Sequence, residues 1–349
     1  MQSKTQGSKT LSLVLLCAGI VLLVGALIVD IIGSDFSLRG AMLICGIVGI
    51  LAGMYFYPTQ KNHRTIVYVI FLFPLLFTFA VTVIIPLVLG IGYSFTDWNG
   101  VRMTASVGFA NYQAMFKDPA FIWSILITFV FVVLNMILVN VVAFLLALLC
   151  TEPMKGTGVY RAAYFLPNLI GGIVLGYIWQ FVFSNVLIKV TQTSWLSQTR
   201  TAMFAIIIVY IWQYAGYIML IYITGLTQIP GDVLEAAAID GATEIQALFQ
   251  VKIPMIASTF TICTFLVLTS AFKQFDVNMA LTNGTGSVPS FMGNYLSNGT
   301  QMLALNIYNT AISKNNYALG QAKAVLFFLI LATFSLLQVR ASNKKEVEL

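Results

Sequence analysis

QIPGDVLEAAAIDGATEIQALFQVKIP, residues 228–254, is the stretch on which the reading of the fold turns. It lies between two apolar runs, 202–227 and 255–280, each longer than the roughly 20 residues a helix needs to cross a hydrocarbon core. A connection between two such helices needs only a handful of residues, so a 27-residue loop with its own pattern implies a task. The pattern is helical. Asp232 is placed to cap a helix beginning near Val233, Glu235 comes three residues on as in a capping box, Ala236 to Ala238 favour helix, and Gly241 breaks or turns it. Leu234, Ala237, Ala238, Gly241 and Ile245 recur at three- and four-residue spacing beside the acidic Glu235, Asp240 and Glu244. A short helix with small residues on one face suits a groove of another protein. A helix lying on lipid headgroups would carry Lys, Arg and large apolar anchors instead. Taken alone, the pattern leaves a docking helix and an ordinary connector equally open.

Outward from this loop the chain is apolar almost throughout. Hydrophobic residues make up 59% of the 349, charged residues 9%, and the mean hydropathy is +0.91, against about 25% charged and about 45–50% apolar in a soluble domain. Such a composition belongs to an integral membrane protein. Apolar runs occupy 11–33, 40–57, 66–93, 121–150, 163–184, 202–227, 255–280 and 321–340. Alternating ten-residue strands are absent, so the expectation is an all-α polytopic helix bundle of about eight transmembrane helices and no β-barrel. Lys4 and Lys9 precede the first run as in a secretion signal, yet its length exceeds a signal core, and it reads as an anchor. With the amino terminus inside, ten of the 18 basic residues fall on the cytoplasmic side, which favours cytoplasmic termini and a cytoplasmic loop 228–254 by a narrow margin. The expected organisation is a two-helix extension over 1–65, a six-helix core over 66–340 and a cytoplasmic tail over 341–349.

Several classes of function are excluded. The net charge of +6 is spread thinly, with no basic cluster for nucleic acid. Cys17, Cys45, Cys150 and Cys263 sit in apolar runs without metal spacing, and His63 is the only histidine, so neither a metal centre nor a histidine-based catalytic site is expected. Gly7-Ser8-Lys9-Thr10 and Lys155-Gly156-Thr157-Gly158 do not fit a phosphate loop.

The residues Glu235-Ala236-Ala237, Asp240-Gly241-Ala242 and the closing Ile253-Pro254 resemble the EAA signature of binding-protein-dependent ABC importer permeases. The likeness is greatest to the carbohydrate branch, of maltose and glycerol-phosphate type. Tyr93-Ser94-Phe95-Thr96-Asp97-Trp98, Asn111-Tyr112 with Asp118 and Phe121, Arg161 with Phe165-Leu166-Pro167, Trp212, Gly216, Gly225-Leu226, Phe275-Asp276 and Leu281-Thr282-Asn283-Gly284 look like its recurring phrases. The resemblance covers about 66–340. The chain departs from it at Gly284-Thr285-Gly286 and at Asn316-Tyr317-Ala318-Leu319-Gly320.

The resemblance implies a type I importer permease fold. It makes Glu235, Ala236, Ala237, Asp240, Gly241, Ala242 and Pro254 the coupling segment that docks on a cytoplasmic ATPase. It further implies no cofactor in this chain, ATP and Mg being bound by two ATPase subunits. The other implied partners are a second, homologous permease, an extracytoplasmic sugar-binding protein, a sugar and a bacterial cell membrane. The sequence alone permits a homodimer equally.

Polar residues inside apolar runs are the candidates for a substrate path, because unpaired polar groups are costly in hydrocarbon and turn inward. They are Asn168 and Gly172, one turn apart after Pro167; Tyr210, Gln213 and Tyr214, with Tyr217 continuing the stripe; and Ser270 and Gln274, with Lys273 and Asn278 beside them. Aromatic faces and amides suit a neutral sugar; they also bind helices to one another. Asn283-Gly284-Thr285 and Asn298-Gly299-Thr300 match the glycosylation sequon and read as polar loop. The rival reading is an ion-driven secondary transporter, which would want a carboxylate at mid-membrane, whereas Asp30 and Asp276 lie near run ends. A non-transporting scaffold would leave the patterned loop without a purpose.

Overall fold

A computed structural model describes residues 2–32, 38–56, 63–103, 105–152, 155–197, 199–284 and 299–343. Thr285 and Gly286, Asn298 of the second sequon and most of the expected tail lie outside the described residues. The chain divides into two units, 1–89 and 90–349. Among the described residues it is helical without a strand, a single bridge joining Thr96 and Ser106.

The first unit opens with two helices, α1 (Gln2–Ile32) and α2 (Arg39–Phe56), packed along their length. Glycine sets their spacing. A methyl group at Gly19 would lie 2.7 Å from the Ile50 backbone nitrogen, and one at Gly53 would lie 2.8 Å from that of Leu16. The two backbones therefore touch, as small residues allow between membrane helices, and Ser12 Oγ donates to the Gly53 carbonyl at 2.5 Å. Next come α3 (His63–Phe79), a π-turn over Ala80–Ile84 and α4 (Ile85–Tyr93).

The second unit contains α5 (Ala110–Lys117), α6 (Pro119–Thr151), α7 (Thr157–Leu169), α8 (Gly172–Phe181), α9 (Ile188–Thr191), α10 (Thr199–Thr227), α11 (Gly231–Ile239), α12 (Glu244–Ala247), α13 (Ile253–Met255), α14 (Ala257–Phe272), α15 (Asp276–Leu281), α16 (Leu303–Tyr308) and α17 (Tyr317–Asn343). Its core is the contact of α6, α10 and α14. Phe131 meets Tyr210 and Phe144 meets Tyr222, so α6 and α10 run in the same direction; Phe129 meets Phe272 and Phe144 meets Phe260, so α14 runs against them. Buried Val139, Ala143, Ala147, Ala205 and Ala215 bring these helices close. At one end of this core lies the segment 228–256. At the other lie Asp118, the start of α10 and the turns after α14.

Among the described residues, five helical stretches are long and apolar enough to cross a membrane: Phe71–Tyr93, Pro119–Thr151, Gly172–Thr191, Arg200–Thr227 and Tyr317–Ala341. Glu244–Met255 with Ala257–Phe272, bent by 72°, makes a sixth if counted as one span, and Leu11–Ala26 and Gly40–Phe56 are shorter apolar helices. Over the described residues the expected apolar runs lie in helix, but two are interrupted. The run 163–184 is broken at Ile170 and Gly171, both extended, so α7 and α8 are separate helices. Pro167, in the last turn of α7, has no N–H to continue the ladder, and the glycine pair after it turns the chain. The run 255–280 is interrupted at Lys273, Gln274 and Phe275, where polar side chains end α14 before α15 begins.

Candidate functional site

On α10, the tyrosine stripe divides. Tyr210 is fully buried, its hydroxyl 2.7 Å from Ser270 Oγ and its ring against Phe131. It joins α10 to α14. Tyr214 and Tyr217 instead line a cavity of about 340 Å³, completed by Ile218, Leu266, Thr269, Ser270, Lys273, Gln274, Phe275 and Asp276. Gln274 is 5% exposed and its Nε2 makes no hydrogen bond within the protein. A buried donor without a partner, facing a cavity, is a place for an acceptor from a bound molecule. A second cavity of about 530 Å³ lies on the same helix toward the 228–256 end. Tyr217 borders both, and Phe165, Leu220, Thr224, Gln228, Ser258 and Thr259 are among the other lining residues of the second. The two cavities run along one face of α10 over Tyr214–Gly225.

Of the expected path residues, Tyr214, Ser270 and Gln274 are brought together at the first cavity. Asn168 and Gly172 fall on either side of the α7–α8 break and do not share a helix face. Gly172 packs on α15, where a methyl group would lie 2.7 Å from Asp276 Cβ. Gln213 is buried and borders neither cavity. Asn278 donates to the Thr300 carbonyl at 2.7 Å. Asp276, at a run end in the sequence, lines the first cavity.

The segment 228–256 is the second feature. It begins with α11, but the capping box is not at its start: Pro230 precedes α11 with no side-chain cap. Asp232 and Glu235 lie inside the helix or its first turn. The box belongs to α12, where Thr243 Oγ1 accepts from Gln246 N at 3.3 Å and Thr243 N donates to Gln246 Oε1 at 2.8 Å. Between the helices sits a Schellman turn. Ala242 N donates to Ala237 O at 3.0 Å and Gly241 N to Ala238 O at 3.1 Å. Gly241 has φ +79°, the left-handed conformation that this turn requires and that glycine adopts without cost. Pro254 is in α13, before the bend at Ile256. Glu235, Ala236, Asp240 and Gly241 are exposed, with Ala237 and Ala242 half-buried. Ile239 is 86%, Ile245 71% and Phe249 64% exposed. Large apolar side chains gathered on one exposed segment outside the helix core are candidates for a contact surface.

A model of the family "binding-protein-dependent transport system inner membrane component" matches residues 155–346, which include both cavities and this segment. The chain belongs to that family. As a member of the binding-protein-dependent permeases it is a membrane transport subunit and not an enzyme. It is 41% identical over 289 residues to the probable starch degradation products transport system permease protein AmyD of Thermoanaerobacterium thermosulfurigenes, across 81% of this chain and 96% of that one. It is 31% identical over 271 residues to the multiple sugar-binding transport system permease protein MsmF of Streptococcus mutans, across 75% and 90%. The permease fold recurs in a crystal structure of a bacterial ABC transporter involved in the import of the acidic polysaccharide alginate, with TM-score 0.68 and 18% identity over 82% of this chain and 98% of that one.

Proposed function

We propose that the chain is one permease subunit of an ATP-driven, binding-protein-dependent sugar importer in a bacterial cell membrane. The observation that carries this is family membership spanning the exposed 228–256 segment, with sugar-system permeases among its relatives. The segment offers Ile239, Ile245 and Phe249 beside the small, acidic surface of α11, which suits insertion into a cleft of a cytoplasmic ATPase. The residues on which we place the coupling are Glu235, Ala236, Ala237, Asp240, Gly241, Ala242 and Pro254. ATP and Mg would be held by two such ATPase subunits, whose closure pulls on the segment.

Force applied there reaches the path directly. Past the bend at Ile256 the segment continues into α14, which carries Thr269 and Ser270 to the first cavity. A rigid shift of α14 against α10 therefore reshapes both cavities, the structural basis for alternating access. The cavities lie along one face of α10, so a second permease, homologous to this one, would supply the opposite wall. We place the sugar at Tyr214, Ser270 and Gln274, where an aromatic ring, a hydroxyl and an unpaired amide donor offer stacking and hydrogen bonds. The 228–256 end is then cytoplasmic, as are both termini, and the Asp118 end faces the binding protein.

The test is uptake of radiolabelled maltodextrin by proteoliposomes holding the full complex, with binding protein on one side and ATP on the other. The wild type should require both. Glu235→Lys and Gly241→Asp should abolish uptake while the protein remains in the membrane. Uptake that ignores ATP and tracks an ion gradient would overturn the proposal.

A further inference from the structure

One strongly polar cluster lies outside both cavities, at the Asp118 end of the core. Lys323, in the second turn of α17, is 1% exposed. Its ammonium donates to Asp118 Oδ2 at 3.0 Å, Asn306 Oδ1 at 2.9 Å and Thr310 Oγ1 at 2.9 Å, and it sits 5.0 Å from the centre of the Phe121 ring. A lysine ammonium has three N–H donors and no acceptor, so all three are used, one of them on a carboxylate. The Asp118 carboxylate is itself fixed, since its other oxygen caps α6 through Ala120 N at 3.0 Å.

The other two acceptors belong to a separate segment. Residues 299–302 lead into α16 and a π-turn over Asn309–Ser313, which pack against α17 as well as α6. They hang from the neighbouring helices: Trp123 Nε1 donates to the Gly299 carbonyl at 2.8 Å, Leu303 N to Thr128 Oγ1 at 2.9 Å, and Asn278 Nδ2 to the Thr300 carbonyl at 2.7 Å. Asn278 is in α15, two residues past the Asp276 that lines the first cavity. The lysine thus bridges α17, the start of α6 and a segment that leans on the wall of the path. Hydrocarbon-facing helices exclude an unpaired charge, and a buried cation with three acceptors holds one geometry that a leucine could not specify.

We propose that Lys323 is a positioning residue for transport: it clamps the segment 299–316 to the Asp118 end of α6, and so sets the outer mouth where a loaded binding protein delivers its sugar. This rests on the importer reading for which end faces the binding protein. A purely structural lysine predicts a different result from a clamp. Replacing Asp118 leaves the buried Lys323 charge without its carboxylate, and replacing Lys323 strips the 30% exposed Asp118 of its ion pair; both destabilise the fold, whereas neutralising both relieves the penalty on the buried charge without restoring the clamp.

The experiment uses the reconstituted full complex and measures thermal stability, maximal uptake and the concentration of maltodextrin-loaded binding protein giving half-maximal uptake. Lys323→Met and Asp118→Asn should lower stability. The double variant Asp118→Asn with Lys323→Met should recover it, yet still need about tenfold more binding protein, the scale of losing a charged hydrogen bond, with maximal uptake little changed. Thr310→Val, which removes one bond and keeps the side-chain shape, should shift the requirement about threefold in the same direction. Recovery of stability and binding-protein requirement together in the double variant, or no shift with Thr310→Val, would overturn the clamp. Wild-type uptake that ignores the binding protein would overturn the importer reading and the clamp with it; wild-type dependence with unshifted variants overturns the clamp alone.

Discussion

Removing a hydroxyl from Tyr210 and an amide from Gln274 should have opposite consequences, although the two residues sit one helix apart. Tyr210→Phe deletes a buried hydrogen bond to Ser270, and should cost about 1 kcal/mol of stability with sugar affinity unchanged. Gln274→Ala deletes a donor that the protein itself does not use, so stability should hold while the half-saturating sugar concentration rises by about five- to tenfold, equivalent to one neutral hydrogen bond. Thermal denaturation and concentration-dependent uptake on both variants separate the two roles; equal affinity in Gln274→Ala would remove that side chain from the path. Gly241 is a third case. Its φ of +79° costs a residue with a side chain about 1–2 kcal/mol, and no atom lies within 4 Å of where a methyl group would go. Gly241→Ala should therefore insert normally and lose uptake in proportion to the loosening of the Schellman turn, with less ATPase retained on affinity purification of the complex.

Where elements cross, the decisive residue is Gly216. A methyl group there would overlap the Tyr164 carbonyl oxygen, so α7 rests on α10 backbone to backbone. No rotamer relieves such a clash, and Gly216→Ala should cost about 3 kcal/mol and lower the amount of folded protein extracted from membranes, in contrast to Gly241→Ala. The sequence brings Gly216 forward only as one member of a phrase; that it marks a crossing depends on α7, whose separateness is not legible there. Residues 163–184 read as one apolar run because hydropathy averages over Pro167 and Gly171, while the break is a matter of backbone angles at two residues. The loop shows the same limit. Its helical character and its turn at Gly241 are legible from alanine, glycine and spacing, but pattern alone assigns the capping box to Asp232 and Glu235, and the better geometry lies at Thr243 and Gln246. Lys323 is the extreme case: a lysine in an apolar run announces a need for partners, and its partner Asp118 lies 205 residues away, beyond any local pattern.

At the scale of the whole molecule, the family match falls unequally on the two units. The match to the AmyD relative takes in 96% of that protein but leaves about a fifth of this chain outside, and the family model covers only residues within the second unit. Helices α1 and α2 satisfy one another: their backbones meet at Gly19, Gly46, Gly49 and Gly53, and the Ser12 hydroxyl, polar in an apolar helix, finds its acceptor on the partner helix. If both helices cross the membrane, the pair returns the chain to the side from which it began, and the orientation of every later helix is then unchanged by its presence. Deleting residues 1–56 should accordingly preserve insertion of the core, binding-protein dependence and most of the ATP-driven uptake. Deleting residues 1–33, which removes one helix, should invert or misinsert the helices after it. Protease accessibility of the 228–256 segment in vesicles of known sidedness reports the orientation, and uptake reports the function. Loss of uptake in the 1–56 deletion with the core still correctly oriented would show that the hairpin takes part in transport itself.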